Sequence, residues 1–79
     1  MLYDLVVPTT ADGALKVTVA VWHKNVGEHV KKDEDVVEAN TEKITLYVVA
    51  PADGVIEEIL VPEGGEARVG DILGRVKGA

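Results

Sequence analysis

The chain contains no cysteine, which excludes disulfides, thiolate metal sites and thiol chemistry. Two histidines, His23 and His29, are too few for a zinc site without help from carboxylates. Positive charge is scarce: eight Lys and Arg stand against fourteen Asp and Glu, a formal net charge of −6. Phosphate backbones are gripped by clustered Lys and Arg, so nucleic acid and anionic membranes are not expected as partners. No apolar run approaches a membrane span, and no stretch reads as a signal or transit peptide. No window carries an apolar helical period with caps at its ends.

What is abundant is valine, joined by Ile, Thr and Tyr and punctuated by Gly and Pro. β-Branched side chains suit a pleated, half-buried surface and lose rotamer freedom in helices. Strands are predicted over residues 2–7, 17–22, 36–40, 44–49, 55–61 and 72–76. Turn signals separate them at Pro8 to Gly13, Asn25 to Glu28, Lys31 to Asp35, Ala50 to Gly54 and Pro62 to Glu66. With 79 residues, the chain is expected to form one domain, residues 1–79. Such a domain buries only about 60% of the surface its unfolded chain exposes.

An internal repeat suggests the architecture. An offset of 37 residues places Val19 on Ile56, Trp22 on Ile59, Gly27 on Gly64, Val30 on Ala67, Asp33 on Gly70, Val36 on Leu73 and Ala39 on Val76. The predicted fold is all-β, a flattened β-barrel or sandwich of two short antiparallel sheets related by a pseudo-twofold axis, with edges closed against each other. The counterpart of Lys43 falls just past the last residue. The turn carrying Lys43 is thus expected at one end of the domain and the termini at the other.

That turn is Thr41-Glu42-Lys43-Ile44, between the strand ending at Asn40 and the period-2 apolar face of Ile44, Leu46 and Val48. A lysine at the tip of a tight reversal offers solvent a primary amine on a four-carbon stem, which an enzyme can approach from almost any side and acylate. The same lysine also reads as a surface charge that discourages edge pairing. Trp22 is expected to anchor the core or its rim, and both histidines to be solvated. Glu57 and Glu58, neighbours in a strand, are expected to face opposite sides. Gly64-Gly65 is too short for a phosphate cradle.

From Trp22 to Gly65 the sequence resembles a lipoyl domain of the E2 acyltransferases of 2-oxo acid dehydrogenase complexes, members of the biotinyl/lipoyl carrier family. The matching features are Trp22 ending a strand, the turn Gly27-Glu28-His29-Val30, the run Thr41-Glu42-Lys43-Ile44, the turn from Ala50 to Gly54, and Glu63-Gly64. Fifteen residues separate Gly27 from Lys43, as in the family. Within it, "WHK" at 22–24, "DE" at 33–34 and "ILGR" at 72–75 are most like the succinyltransferase branch, that of the 2-oxoglutarate dehydrogenase complex. Ala39 and Asn40 depart from the usual Ile and Glu, Ile44 is bulkier than usual, and Leu15-Lys16-Val17 replaces a more polar stretch.

The resemblance implies a barrel-sandwich hybrid domain with lipoate joined by an amide to Lys43, flanked by Thr41, Glu42 and Ile44. It would act as a swinging arm carrying acyl groups, here succinyl. The partners implied are a lipoate ligase or lipoyl transferase, the E1 decarboxylase, the E2 catalytic domain and the E3 dihydrolipoamide dehydrogenase. No metal is implied, no catalytic residue lies within the domain, and the isolated domain is expected to be a monomer. The compartment implied is bacterial cytoplasm or mitochondrial matrix. The first surface loop is expected near the lysine, where it helps E1 recognise its own carrier. Alternatives are a lipoyl domain of the pyruvate or branched-chain complex, a biotinyl carrier, or an unmodified barrel-sandwich module. Biotinyl carriers place methionine on both sides of the target lysine, whereas the only methionine here is Met1.

Overall fold

The computed structural model describes residues 1–79 and contains no helix. Its strands are β1 (Leu2–Val6), β2 (Lys16–Trp22), β3 (His29–Val30), β4 (Asp35–Asn40), β5 (Thr45–Val49), β6 (Gly54–Ile59), β7 (Glu66–Arg68) and β8 (Ile72–Gly78). Six of these coincide with predicted strands, their ends shifted by at most two residues. The two additional strands, β3 and β7, have only two and three residues. That is too short for apolar alternation to register in sequence.

The strands form two antiparallel four-stranded sheets, ordered β1-β8-β6-β3 and β5-β4-β2-β7. The 37-residue offset maps β2, β3 and β4 onto β6, β7 and β8, and the order of one sheet onto the other. Irregularities in pairing repeat as well. An extra residue interrupts β2 at Ala20 and β6 at Glu57, and another interrupts β4 at Val36 and β8 at Leu73. Such bulges bend and twist the strands, so both sheets curve alike. The sheets are not closed into a barrel, which corrects that half of the expectation. β1, β3, β5 and β7 remain as edges.

Fifteen residues from both sheets make one apolar core, with Val19, Val36, Val37, Ala39, Ala50, Leu73 and Val76 at 0% exposure. No polar or charged residue is buried. Trp22 anchors the rim as expected, its indole N–H donating to the Val61 carbonyl at 2.7 Å. Turns are set by backbone demands that also repeat: Gly27 and Gly64 have φ of 93° and 86°, a region open to glycine at little cost. Asp33 occupies the same region at 70°, where its repeat partner is Gly70.

One expectation fails at a bulge. Glu57 is the extra residue in β6, so it and Glu58 both end on the solvent side while Ile56 and Ile59 pack inward. Only Glu58 finds a partner, the Arg75 guanidinium, which also bonds Asp4 at 3.0 Å.

Candidate functional site

The β4–β5 connection is held by one side chain. Asn40 pairs with Thr45 as the last rung of the hairpin, and the Thr45 hydroxyl donates to Asn40 Oδ1 at 2.9 Å. Beyond that rung the Thr41 amide donates to the Ile44 carbonyl at 2.8 Å, closing the turn. The Thr41 hydroxyl oxygen accepts from the amides of Lys43 at 3.1 Å and Ile44 at 3.0 Å, the local bonding by which threonine stabilises turns. Its own proton goes to Asp12 Oδ2 at 2.7 Å.

That last bond reaches the β1–β2 loop, which therefore lies beside the turn. Within the loop the Ala14 amide donates to Thr10 Oγ1 at 2.8 Å and to Asp12 Oδ1 at 3.3 Å. The Thr41 hydroxyl first, and Thr10 next, hold the Asp12 carboxyl below its ordinary value, because bonds to the charged form favour it. Asp12 was not anticipated as part of the site. A contact spanning 29 residues, made by an acid in a turn-rich stretch, leaves no local signature.

Glu42 and Lys43 are exposed at the tip, whereas Thr41 and Ile44 are half-buried. The Ile44 amide and carbonyl are both tied to Thr41, so the outward residues rest on a fixed base. Lys43 Nζ has neither a hydrogen-bond acceptor nor a carboxylate partner. The ion pairs of the molecule join Lys16 to Glu66, Lys24 to Glu34, and Arg75 to Asp4 and Glu58. The structure thus brings together all four residues singled out in the sequence, with Lys43 foremost.

Between the turn and the start of β2 runs an open groove of about 760 Å³, lined by Asp12, residues 14–18 and residues 40–43. No histidine or cysteine lines it, and no group of three or more His, Cys, Asp or Glu is placed to hold a metal ion. What this arrangement does chemically is offer one nucleophilic amine, fixed at its base and free at its tip.

Two interlocked four-stranded sheets displaying an exposed lysine on a tight turn define a carrier-type domain. Comparison with known families agrees. A model named for biotin and lipoyl attachment, and described as "Biotin-requiring enzyme", matches residues 4–76. The chain belongs to this biotinyl/lipoyl family.

Among its relatives is the dihydrolipoyllysine-residue succinyltransferase component of the 2-oxoglutarate dehydrogenase complex from Azotobacter vinelandii. It is 43% identical over 76 residues, which are 96% of this chain and 19% of that protein. The corresponding component from Escherichia coli K12 is 40% identical over 74 residues, 94% of this chain and 18% of that protein. The chain therefore spans about a fifth of the relatives it matches. A solution structure of the lipoyl domain of the A. vinelandii 2-oxoglutarate dehydrogenase complex superposes with a TM-score of 0.76 at 43% identity, covering 96% of this chain and 98% of that one.

Proposed function

We propose that residues 1–79 form a lipoyl carrier domain in which the Lys43 amine takes lipoate through an amide bond. The observation that carries this reading is the exposed, unpartnered Lys43 ammonium on a turn whose amides are tied to Thr41. No ion pair or side-chain hydrogen bond has to be broken before the ammonium gives up its proton and the amine reacts. An activated carboxyl delivered by a lipoate ligase or lipoyl transferase can approach it from the solvent side.

The residues present fit the group. Lys43 would hold it covalently, Thr41 and Ile44 would keep the turn rigid for recognition, and Glu42 would keep the tip hydrated. Lipoate is favoured over biotin because Glu42 and Ile44 flank the lysine where biotinyl carriers resemble one another in having methionines. A bound lipoyl group supplies a reducible disulfide on a flexible chain, the chemistry needed to accept and release an acyl group. The domain's own part is mechanical, since a tethered carrier meets each station as an effectively intramolecular reactant.

The names of the relatives support the parent assembly as a 2-oxoglutarate dehydrogenase complex, with succinyl as cargo. Its E1 decarboxylase, E2 catalytic domain and E3 flavoprotein would be the stations visited. Carboxylates near the turn, among them Glu38 and Glu42, would steer brief encounters with basic docking sites, raising association rate more than residence time. The isolated domain is proposed to be a monomer. Relatives from bacteria support the bacterial cytoplasm as its compartment.

Coexpression with a lipoate ligase and lipoate, followed by intact mass measurement, tests the reading. One lipoyl amide is expected per chain, and none on Lys43→Ala. A wild-type chain that the ligase ignores, modifies elsewhere, or that a biotin ligase modifies instead, overturns it.

A further inference from the structure

The groove beside the turn holds a feature that the fold does not need. Leu15, just before β2, is 82% exposed, whereas Val7, the other large aliphatic residue of the first loop, is at 1%. Its position is not slack. The Leu15 carbonyl accepts from the Val69 amide at 3.0 Å, Lys16 pairs with Arg68 in the adjoining strand, and Asp12 clasps Thr41 from the other side of the loop. A backbone held at both ends thus displays a leucine that is largely open to water. It lines the same groove as Lys43.

We propose that this groove is a resting site for the aliphatic arm attached to Lys43, with Leu15 and the Ala14 methyl as its apolar contact. The attachment residue is itself in the groove wall, so the arm begins at the site and pays no search cost. Acylation removes the Lys43 charge, and with it the hydration that keeps the bare stem extended into water. The hydrocarbon then lies beside an exposed leucine, and contact between the two removes apolar surface from solvent on both. The groove is open and only partly apolar, so the contact is reversible. The arm alternates between a parked position along residues 14–16 and extension into solvent.

This inference rests on the reading of Lys43 as the attachment point. The experiment separates the two. Isotope-labelled domain is lipoylated with ligase and lipoate, and intact mass with Lys43→Ala as control establishes where the group sits. Amide spectra of the unmodified and lipoylated forms are then compared, and nuclear Overhauser contacts are sought from arm methylenes. The expected result is shifted amides at residues 14–16 as well as 42–44, with contacts from the arm to the Leu15 methyls. In lipoylated Leu15→Ser the shifts at 14–16 are lost while those at 42–44 persist. Because Leu15 is exposed, that variant keeps the core intact, and its amide dispersion reports whether it has folded. A domain lipoylated on Lys43 whose shifts stay within 42–44, with no contact to Leu15, overturns the parked arm and leaves the carrier function standing. Absence of a lipoyl group on Lys43 overturns the carrier function itself.

Discussion

Replacing Thr41 by valine keeps the shape and β-branching of the side chain and deletes one hydroxyl. That hydroxyl accepts from the amides of Lys43 and Ile44 at 3.1 and 3.0 Å and donates to Asp12 at 2.7 Å. Neutral hydrogen bonds of this kind contribute about 0.5–1.5 kcal/mol each. The Lys43 amide sits at an exposed residue and can turn to water, which places its bond near the lower limit, while the Ile44 amide is partly buried. The two together come to about 1–2 kcal/mol. The bond to the solvated Asp12 carboxylate is left out of this sum; it holds loop to turn. For a domain of this size the loss corresponds to a melting point lower by about 6–12 °C, readable by circular dichroism. Thr41→Ser, which retains the hydroxyl, should recover most of it. The same variants report on function: ligase-catalysed lipoylation should slow in Thr41→Val, although Lys43 is untouched, and recover in Thr41→Ser. Wild-type melting and wild-type modification in Thr41→Val would refute the claim that Thr41 organises the turn.

Asp12 is held below its ordinary pKa of 3.8 chiefly by the Thr41 hydroxyl. A depressed carboxyl stabilises the fold above its unfolded value and loses that gain as pH falls through the folded one. The gap in melting temperature between wild type and Asp12→Asn should therefore hold steady from neutral pH to about pH 5 and narrow below about pH 4; a gap independent of pH contradicts the clasp. Gly74→Ala would place a methyl 2.6 Å from the Glu58 carbonyl oxygen and 2.9 Å from Trp22 Cη2. Urea unfolding should show a loss of about 3 kcal/mol, and an unchanged midpoint would mean that β6 and β8 are less tightly apposed than described. Asp33→Gly relieves a φ of 70° and is expected to raise stability by about 0.5 kcal/mol in the same assay, with destabilisation as the contrary result.

Much of this molecule could be read before its structure was known, and the reasons differ from part to part. The longer strands announced themselves through β-branched alternation, and the turn at Lys43 through its place between two such runs. The pairing of Gly27 with Gly64 and of Asp33 with Gly70 was visible as a repeat because backbone conformation restricts residue choice at those turns. The bulges were not visible. An extra residue such as Glu57 alters neither composition nor apolar count, yet it turned a pair expected on opposite faces onto one. The strands β3 and β7 escaped because pairing, and not alternation, creates them. Asp12 and Leu15 belong to the site through proximity in space. For Asp12 that proximity is one hydrogen bond across 29 residues; for Leu15 it is a shared groove.

The exchange of short strands has a consequence for how the domain comes apart. β3 follows β2 in the chain yet completes the sheet of β6, and β7 follows β6 yet completes the sheet of β2. Neither repeat unit can finish its own layer, so a half-length fragment is a sheet with a missing border and an uncovered apolar side. Loosening anywhere along this weave frees strands of both layers together, which favours concerted unfolding over piecemeal fraying. Assembly must wait for segments far apart in sequence to meet, so it should be slow for so small a protein, in the millisecond-to-second range typical of non-local β topologies. A load applied at the Lys43 turn, on the β4–β5 hairpin, is accordingly shared by strands of both layers.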